Sequence, residues 1–327
     1  MMFMRAAVIR KYGPLENITL EELPIPETAD DEVLVAVRAS SITFSNLALI
    51  IGKPLIVRLA GFGVFKPKYK IPGSDIAGRV EKVGRKVKKF KPGDEVYGDL
   101  ADMKRGGFAE FVSVPETAIA IKPANQSFEE AAAVPESAHV ALQAIRDHAK
   151  VKPEEEVLVI GACGGIGSFA VQFAKYYQAN VTGLCSKGNF ELAHSLGATR
   201  VIDYKRENFS RLNRQFDSII ACVGNYSIYD YRRALKPRGR LVITGGSMKQ
   251  LLQCALLGPI LSRKYNKGFH NMLVKPNVDL NFIRQLIEGG HIRSLIDKCY
   301  RLTEIESAFR HYKGSHSRGK VIISIKT

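Results

Sequence analysis

The residues best suited to chemistry in this chain are small ones. Val157-Leu158-Val159-Ile160 leads straight into Gly161-Ala162-Cys163-Gly164-Gly165-Ile166-Gly167, and then into the apolar-periodic SFAVQFAKYY. A strand ending in such a turn presents bare backbone N–H groups at a helix N-terminus, where a pyrophosphate finds donors and a favourable dipole. Ala162, Gly164 and Gly167 take the three glycine places of the dinucleotide fingerprint, with Cys163, Gly165 and Ile166 between them. A glycine cluster by itself is equally a structural turn. The strand before it, the helix after it and further strand–helix units point to dinucleotide binding.

Which dinucleotide is read about 20 residues on, where an acid that holds the ribose hydroxyl marks NAD sites and basic or hydroxyl groups mark NADP sites. The second strand ends Gly183-Leu184-Cys185-Ser186-Lys187-Gly188-Asn189, and the first acid is Glu191, already inside the next helix. NADPH is therefore the expected cofactor, with Ser186, Lys187 and Asn189 beside it; the plain alternative is a solvated loop lysine. Ligands of such sheets sit at the carboxyl ends of the strands. Val223 and Gly224 after the fourth strand, and Thr244, Gly245 and Gly246 after the fifth, are expected to flank the cofactor.

The elements that must position these residues change character along the chain. Up to about residue 125, short β-branched runs (AAVIR, ITLEEL, VLVAVRAS, IAGRVEKVG, DEVYGDL, AEFVSV) alternate with Gly/Pro turns, the pattern of a sandwich or partly open barrel. Residues 128–150 read as one helix, opened by a Ser127–Glu130 capping box. From VLVI onward, strands alternate with helices through VTGL, RVID, SIIACV and RLVIT, which implies a doubly wound parallel sheet. Residues 247–276 read as irregular. The tail offers FIRQLIEGG as a helix, a strand-like IRSLIDKCY, a helix capped by Thr303 with Glu306, and a last strand KVIISI.

The chain has 327 residues, 46% apolar and 24% charged, without low-complexity tracts, which excludes collagen-like, coiled-coil and disordered classes. Five cysteines stand far apart, so neither a disulfide framework nor a structural zinc site is read. The start MMFMRAAVIRK has no signal-peptide pattern, and no run of 18 apolar residues occurs, which makes cytoplasm the expected location. Net charge is +16, with no acid between Glu32 and Asp75 or between Asp230 and Asp279. That asymmetry suits an anionic partner or simply a solvated basic surface. LLQCALLGPIL at 251–261, followed by Arg263, Lys264 and Lys267, is too short to span a bilayer and suits either weak membrane-surface contact or a packed contact between subunits. The basic segments lack interleaved aromatics, so nucleic acid is not an expected partner.

Several long stretches resemble the zinc-independent medium-chain dehydrogenase/reductases of the quinone oxidoreductase group, those similar to zeta-crystallin. They are PGSDIAGRVEKVGRKVKKFKPGDEVYG, GGFAEFVSVPE, EEAAAVPESAHVALQAI, VLVIGACGGIGSFAVQFAK, SLGATRVIDY, LKPRGRLVITGG and RGKVIISI. The resemblance covers nearly the whole chain. It implies an α/β protein with a GroES-like catalytic domain over residues 1–125, completed by about 277–327, and a Rossmann domain over 126–276 with a cofactor cleft at their junction. It also implies a homodimer, a position for Tyr204 near the adenosine phosphate, and a role for Lys320 near the cofactor phosphates.

In zinc-dependent relatives a Cys follows the third strand and a Gly-His-Glu stands where this chain has Gly73-Ser74-Asp75. Here SITFSNLAL holds no Cys and Ser74 replaces the His, which leaves too few ligands for a tetrahedral metal site. Hydride delivery to a quinone or to the β-carbon of an α,β-unsaturated carbonyl needs no Lewis acid as strong, because conjugation carries the charge to an oxygen that donors can stabilise. Thr43, Asn46 and Ser74 are the candidate donors; for Thr43 and Asn46 the plain reading is a loop satisfying its own backbone. Asp75 reads more readily as a structural ion pair than as an acid catalyst, and His139 as a packed residue. The sequence-level expectation is an NADPH-dependent quinone or enone reductase. The alternatives are an alcohol dehydrogenase-like enzyme and a low-turnover NADPH-binding sensor or membrane-associated factor.

Overall fold

The computed structural model describes residues 2–325 apart from 56–57, 104, 273 and 315–317. The chain forms two compact units: residues 1–136, 276–289 and 294–327 make one, and residues 137–275 and 290–293 the other.

The first unit begins with β1 (Phe3–Ile9) and β2 (Ile18–Pro24), an antiparallel pair. Strands β3 (Glu32–Ser41), β4 (Asp75–Val83), β5 (Glu95–Asp99), β6 (Phe111–Pro115) and β7 (Ile119–Ile121) follow, so the β-rich expectation holds. Between β3 and β4, where the sequence reading saw only a loop, the chain makes α1 (Phe44–Ile51). Its N-cap is Thr43, whose Oγ1 accepts the Asn46 N–H at 3.2 Å while Asn46 Oδ1 accepts the Thr43 N–H at 3.2 Å. This reciprocal box satisfies two donors that a helix start otherwise leaves open.

The single helix expected over 128–150 is broken into α2 (Phe128–Ala132) and α3 (Pro135–Gln143), followed by a π-helical turn at Ala144–His148. Pro135 has no N–H to donate and disfavours helical geometry at Val134, so α2 stops and α3 restarts on the proline. Helix α2 packs on β3 and β4, which keeps it in the first unit.

The second unit is a six-stranded, wholly parallel sheet of β8 (Glu156–Ile160), β9 (Asn180–Cys185), β10 (Arg200–Asp203), β11 (Phe216–Ala221), β12 (Leu235–Ile243) and β13 (Gly268–Asn271), in the order β10-β9-β8-β11-β12-β13. Helices α4 (Gly165–Tyr176), α5 (Phe190–Leu196) and α6 (Ile228–Ala234) lie between successive strands. The strand order reverses direction between β8 and β11, the switch point at which doubly wound sheets open a crevice for ligand. Residues 247–276, expected to be irregular, instead form α7 (Met248–Tyr265) and β13. Pro259 and scattered cations hide the helical period there, while Ser247 caps the start by accepting the Gln250 N–H at 3.2 Å. Cys254, Gly258 and Leu261 of α7 are buried, whereas Leu252, Leu256 and Ile260 are exposed. Among the described residues no helix is long and apolar enough to cross a membrane.

The chain then returns to the first unit with α8 (Leu280–Glu288), β14 (Ile296–Arg301), α9 (Ile305–Gly314) and β15 (Lys320–Ser324). The expected Thr303–Glu306 cap is displaced: Glu304 accepts the Arg301 N–H at 2.9 Å and a short 3-10 turn precedes α9. Strand β15 pairs with β3, giving the sheet β14-β15-β3-β4-β5-β7 with β6 also on β3. Each unit has its own core: Val35, Ile76, Phe108 and Phe309 are fully buried in the first, and Leu158, Phe216, Ile219 and Tyr231 in the second.

Candidate functional site

In the second unit the turn after β8 is a cradle built from backbone. Gly161 holds φ +80°, and a Cβ there would meet Val223 Cγ1 at 2.5 Å. The turn closes when Gly164 N–H donates to Gly161 O at 3.0 Å, and α4 starts with Gly164 as its N-cap and no side-chain cap. The first N–H groups of α4 are thus left to a ligand or water. A Cβ at Gly167 would stand 2.0 Å from Gly161 O, so the third glycine is required for helix and strand to approach. At Gly164 a Cβ would meet only Gly161 O, at 3.4 Å. That open face suits a pyrophosphate.

The neighbouring strand ends surround this turn. Thr244 N–H donates to Ala221 O at 3.0 Å, and Ser247 N–H to Gly224 O at 3.3 Å, which ties the loop after β12 to the loop after β11. Gly224 and Gly246 both have positive φ, and Val223 is 54% exposed. Ala162, Cys163 and Gly245 lie in the same group of loops, and Gly165 and Ile166 open α4. Beyond β9, Asn189 N–H donates to Ser186 O at 2.9 Å in a 3-10 turn that leaves Lys187 exposed. The β9–β10 register pairs Cys185 with Asp203, so Lys187 and Lys205 each lie two residues beyond one paired row. Tyr204, Lys205 and Arg206 are exposed, and Asp203 is buried, accepting the Lys205 N–H at 3.0 Å. Lys187, Lys205 and Arg206 put cations at this rim, and Glu191 and Glu207 are exposed in the same two segments.

Lys320 lies in the first unit, 5% exposed, with Nζ 3.1 Å from Asp75 Oδ2. Asp75 is fully buried and also accepts the Ser41 hydroxyl at 2.6 Å and the Glu136 backbone N–H at 2.9 Å. The structural ion pair read for Asp75 is therefore present. Burial works against the Lys320 charge, but Asp75 and Glu136 outweigh it and hold the ammonium above its ordinary range.

The β4–β5 register sets Asp99 directly opposite Asp75. Asp99 is 2% exposed; burial first, then the negative charges of Asp75 and Glu136, push its carboxyl well above the ordinary Asp value. Arg105, at φ +57° and 2% exposed, approaches Ser45 Oγ with Nη1 at 3.4 Å and lies over the Phe62 ring, while its Nε has no hydrogen-bond partner.

The structure brings Thr43, Asn46 and Ser74 together: Asn46 Nδ2 donates to Ser74 Oγ at 3.3 Å. All three are buried, at 3%, 0% and 0% exposure, and Thr43 and Asn46 are occupied in the cap of α1. The plain reading of these two residues is thus realised in the fold. The part-exposed polar groups beside them are Ser45, whose Oγ lies 2.9 Å from Thr43 Oγ1, and Glu136, whose backbone N–H donates to Asp75 Oδ1 at 2.9 Å. Sequence reasoning missed both, along with Gly161 and Arg105. The Thr-x-x-Asn capping spacing would have exposed α1, and with it the inward turn of Thr43. Nothing local marks Glu136, whose charged neighbours lie on β4 and β15.

The family model described as "Alcohol dehydrogenase GroES-like domain" matches residues 29–124, and the one described as "Zinc-binding dehydrogenase" matches residues 196–323. The chain is 31% identical to the 2-methylene-furan-3-one reductase of Solanum lycopersicum and 30% identical to the chloroplastic NADPH-dependent alkenal/one oxidoreductase of Arabidopsis thaliana, in each case over 98% of this chain and 79% of the relative. The quinone oxidoreductase structure from Coxiella burnetii superposes with a TM-score of 0.87 at 26% identity, over 99% of this chain and 100% of that one. The chain belongs to the medium-chain dehydrogenase/reductases, in their quinone oxidoreductase group, a family of oxidoreductases that use a nicotinamide cofactor. The GroES-like and Rossmann-like architecture expected from the sequence is the one observed.

The turn after β8 fits such a cofactor through its uncapped helix start and the open space at Gly164. Among the described residues no group of three or more His, Cys, Asp or Glu side chains is arranged to hold a metal ion.

Proposed function

We propose that this protein is an NADPH-dependent oxidoreductase that reduces a quinone or an α,β-unsaturated carbonyl without zinc. The observation that carries the reading is the donor set of the first unit, a buried group of hydroxyls, an amide and ionisable side chains, with no metal-ligating cluster among the described residues. When bound, NADPH supplies a hydride. Gly161, Gly164 and Gly167 let its phosphates reach the start of α4, and Lys187 and Lys205 meet the 2′-phosphate. In the first unit the Asp75–Lys320 pair fixes β4 against β15, and the α1 cap holds Ser45 at the rim. Ser45 donates to the substrate oxygen as negative charge develops there, a contribution of about 3 kcal/mol for a well-aimed donor. The relatives named for enone-type substrates or quinones support the substrate class.

A second reading, a dinucleotide-binding sensor with little turnover, is favoured by the burial of Thr43, Asn46 and Ser74. Elemental analysis and activity after dialysis against a chelator test the zinc-free reading: no stoichiometric metal and undiminished NADPH oxidation are expected. One tightly held metal per chain, with activity lost on its removal, would overturn it.

A further inference from the structure

We propose that the outer face of α7 is a docking surface for an anionic lipid bilayer, which it meets with a row of apolar side chains flanked by cations. The inference is independent of the reaction and concerns the second unit alone.

An amphipathic helix on a sheet turns its apolar stripe inward and its polar residues to water. Helix α7 does the first and not the second. Gln250, Cys254, Gly258 and Leu261 are buried, and Gly258 packs so closely that a Cβ there would stand 3.2 Å from the Phe269 Cβ on β13. The opposite side carries Met248, Leu252, Ala255, Leu256, Pro259 and Ile260, all exposed, with Leu256 at 70% and Ile260 at 62%. At spacings of three and four these residues form one row along the helix. Exposed apolar residues are ordinary singly, but a contiguous row marks a surface that meets something other than water.

Cations stand at both ends of the row. Lys249 is exposed in the first turn, and Arg263 and Lys264 in the last. Arg238, also exposed, joins the second end because its N–H donates to Asn266 O at 2.7 Å. No acid occurs from residue 231 to residue 278. Helix α6 packs on α7 and adds the exposed Tyr229, with the Arg232 guanidinium over its ring and over that of Tyr265. Tyrosines of this kind suit the headgroup layer, where one end of the ring is apolar and the other wet.

The charge pattern selects the partner. Acyl chains receive the leucines and isoleucine to a depth of about 5–10 Å, while anionic headgroups meet the cations. A second copy laid on the same face would set the cations of one helix against those of the other, with no acid in the segment to neutralise them. Helix α7 is not apolar enough to cross a membrane, so it lies along the surface.

The test uses the full-length protein and vesicles of pure phosphatidylcholine or of phosphatidylcholine with about one-third phosphatidylserine, in about 0.1 M salt. Wild type should sediment with the anionic vesicles at least about tenfold better than with the neutral ones, and about 0.5 M salt should release most of it. Because the chain has no tryptophan, Leu256→Trp places a single indole on this face. Its emission should shift to the blue on anionic vesicles and be quenched by brominated acyl chains. The combined Leu252→Ser, Leu256→Ser and Ile260→Ser variant keeps every charge and should bind at least about tenfold more weakly. Combined Lys249→Gln, Arg263→Gln and Lys264→Gln should cost about fivefold per cation. As a control for general charge, combined Lys82→Gln, Lys88→Gln and Lys89→Gln in the first unit should bind as wild type does.

No binding to either vesicle, or equal binding to both, would overturn the proposal. So would anionic binding that survives the serine variant unchanged or falls equally in the first-unit control, which would reduce the effect to the +16 net charge. Leu256→Trp decides the matter even where a combined variant fails to fold: unshifted emission on vesicles that sediment the protein contradicts the docking face. A wild type that ignores vesicles but sediments as a dimer, split by the serine variant, would assign the face to a second copy instead.

Discussion

At the scale of single residues, charge placement decides most of what this protein does. Lys187 is exposed at the end of β9, where an NAD-type site would carry an acid. Wild type should bind NADPH more tightly than NADH, and Lys187→Glu should cost NADPH about tenfold or more in affinity and reverse the preference. Fluorescence titration with both cofactors checks this, and equal wild-type affinities would contradict the argument from the missing acid. Asp99 makes a second residue-level prediction. Its folded pKa is raised, so the stability it contributes is fully present below the ordinary Asp value and is lost as pH rises through the raised one. Asp99→Asn keeps an acceptor for the Ala101 N–H, which now donates to Oδ1 at 2.8 Å, and cannot ionise. The variant should therefore match wild type near about pH 4 and exceed it at about pH 8. Urea midpoints at the two pH values decide it. The glycine turn after β8 and the loops after the neighbouring strands were legible in the sequence because each belongs to a local strand–turn–helix pattern. Asp99, Arg105 and Glu136 were not, because their chemistry comes from neighbours on other strands.

At the scale of elements, the turn from β8 into α4 does two separable jobs. Gly167 lets the helix approach the strand, and Gly164 keeps space in front of the helix start. Gly167→Ala forces a Cβ to within 2.0 Å of a carbonyl oxygen and should destabilise the unit and abolish dinucleotide binding together. Gly164→Ala meets only a 3.4 Å contact, so it should fold with an unchanged melting temperature yet bind NADPH at least tenfold more weakly. Thermal melts paired with titration separate the two, and parallel behaviour would contradict the division. Five of the six strands of the parallel sheet were read correctly because their apolar runs are bounded by Gly-rich turns, while β13 was lost in the stretch read as irregular. Helix α1 was lost to a short run with its capping box unrecognised, and α7 to Pro259, which removes one backbone donor from a helix whose flanking residues carry it through.

At the scale of the whole molecule, the fold supplies a dinucleotide-binding sheet and a catalytic unit whose polar groups are mostly internal. The +16 net charge favours encounter with anionic ligands, of which NADPH is one. The two-unit plan could be read from the sequence, since β-rich and βα-alternating stretches have different periods. The limits of the units follow packing: α2 stays with β3 and β4, and the residues after 275 return to the first sheet. The central claim, hydride transfer to a conjugated acceptor without zinc, stands or falls on substrate selectivity. The direct measurement follows NADPH absorbance with purified protein over a matched set of an enone, a quinone, the corresponding saturated ketone and a simple alcohol with NADP+. The account predicts turnover of the enone or the quinone at least a hundredfold above the saturated ketone and the alcohol, the size of about one oxyanion donor's effect. Faster oxidation of the simple alcohol than reduction of either conjugated acceptor would contradict it.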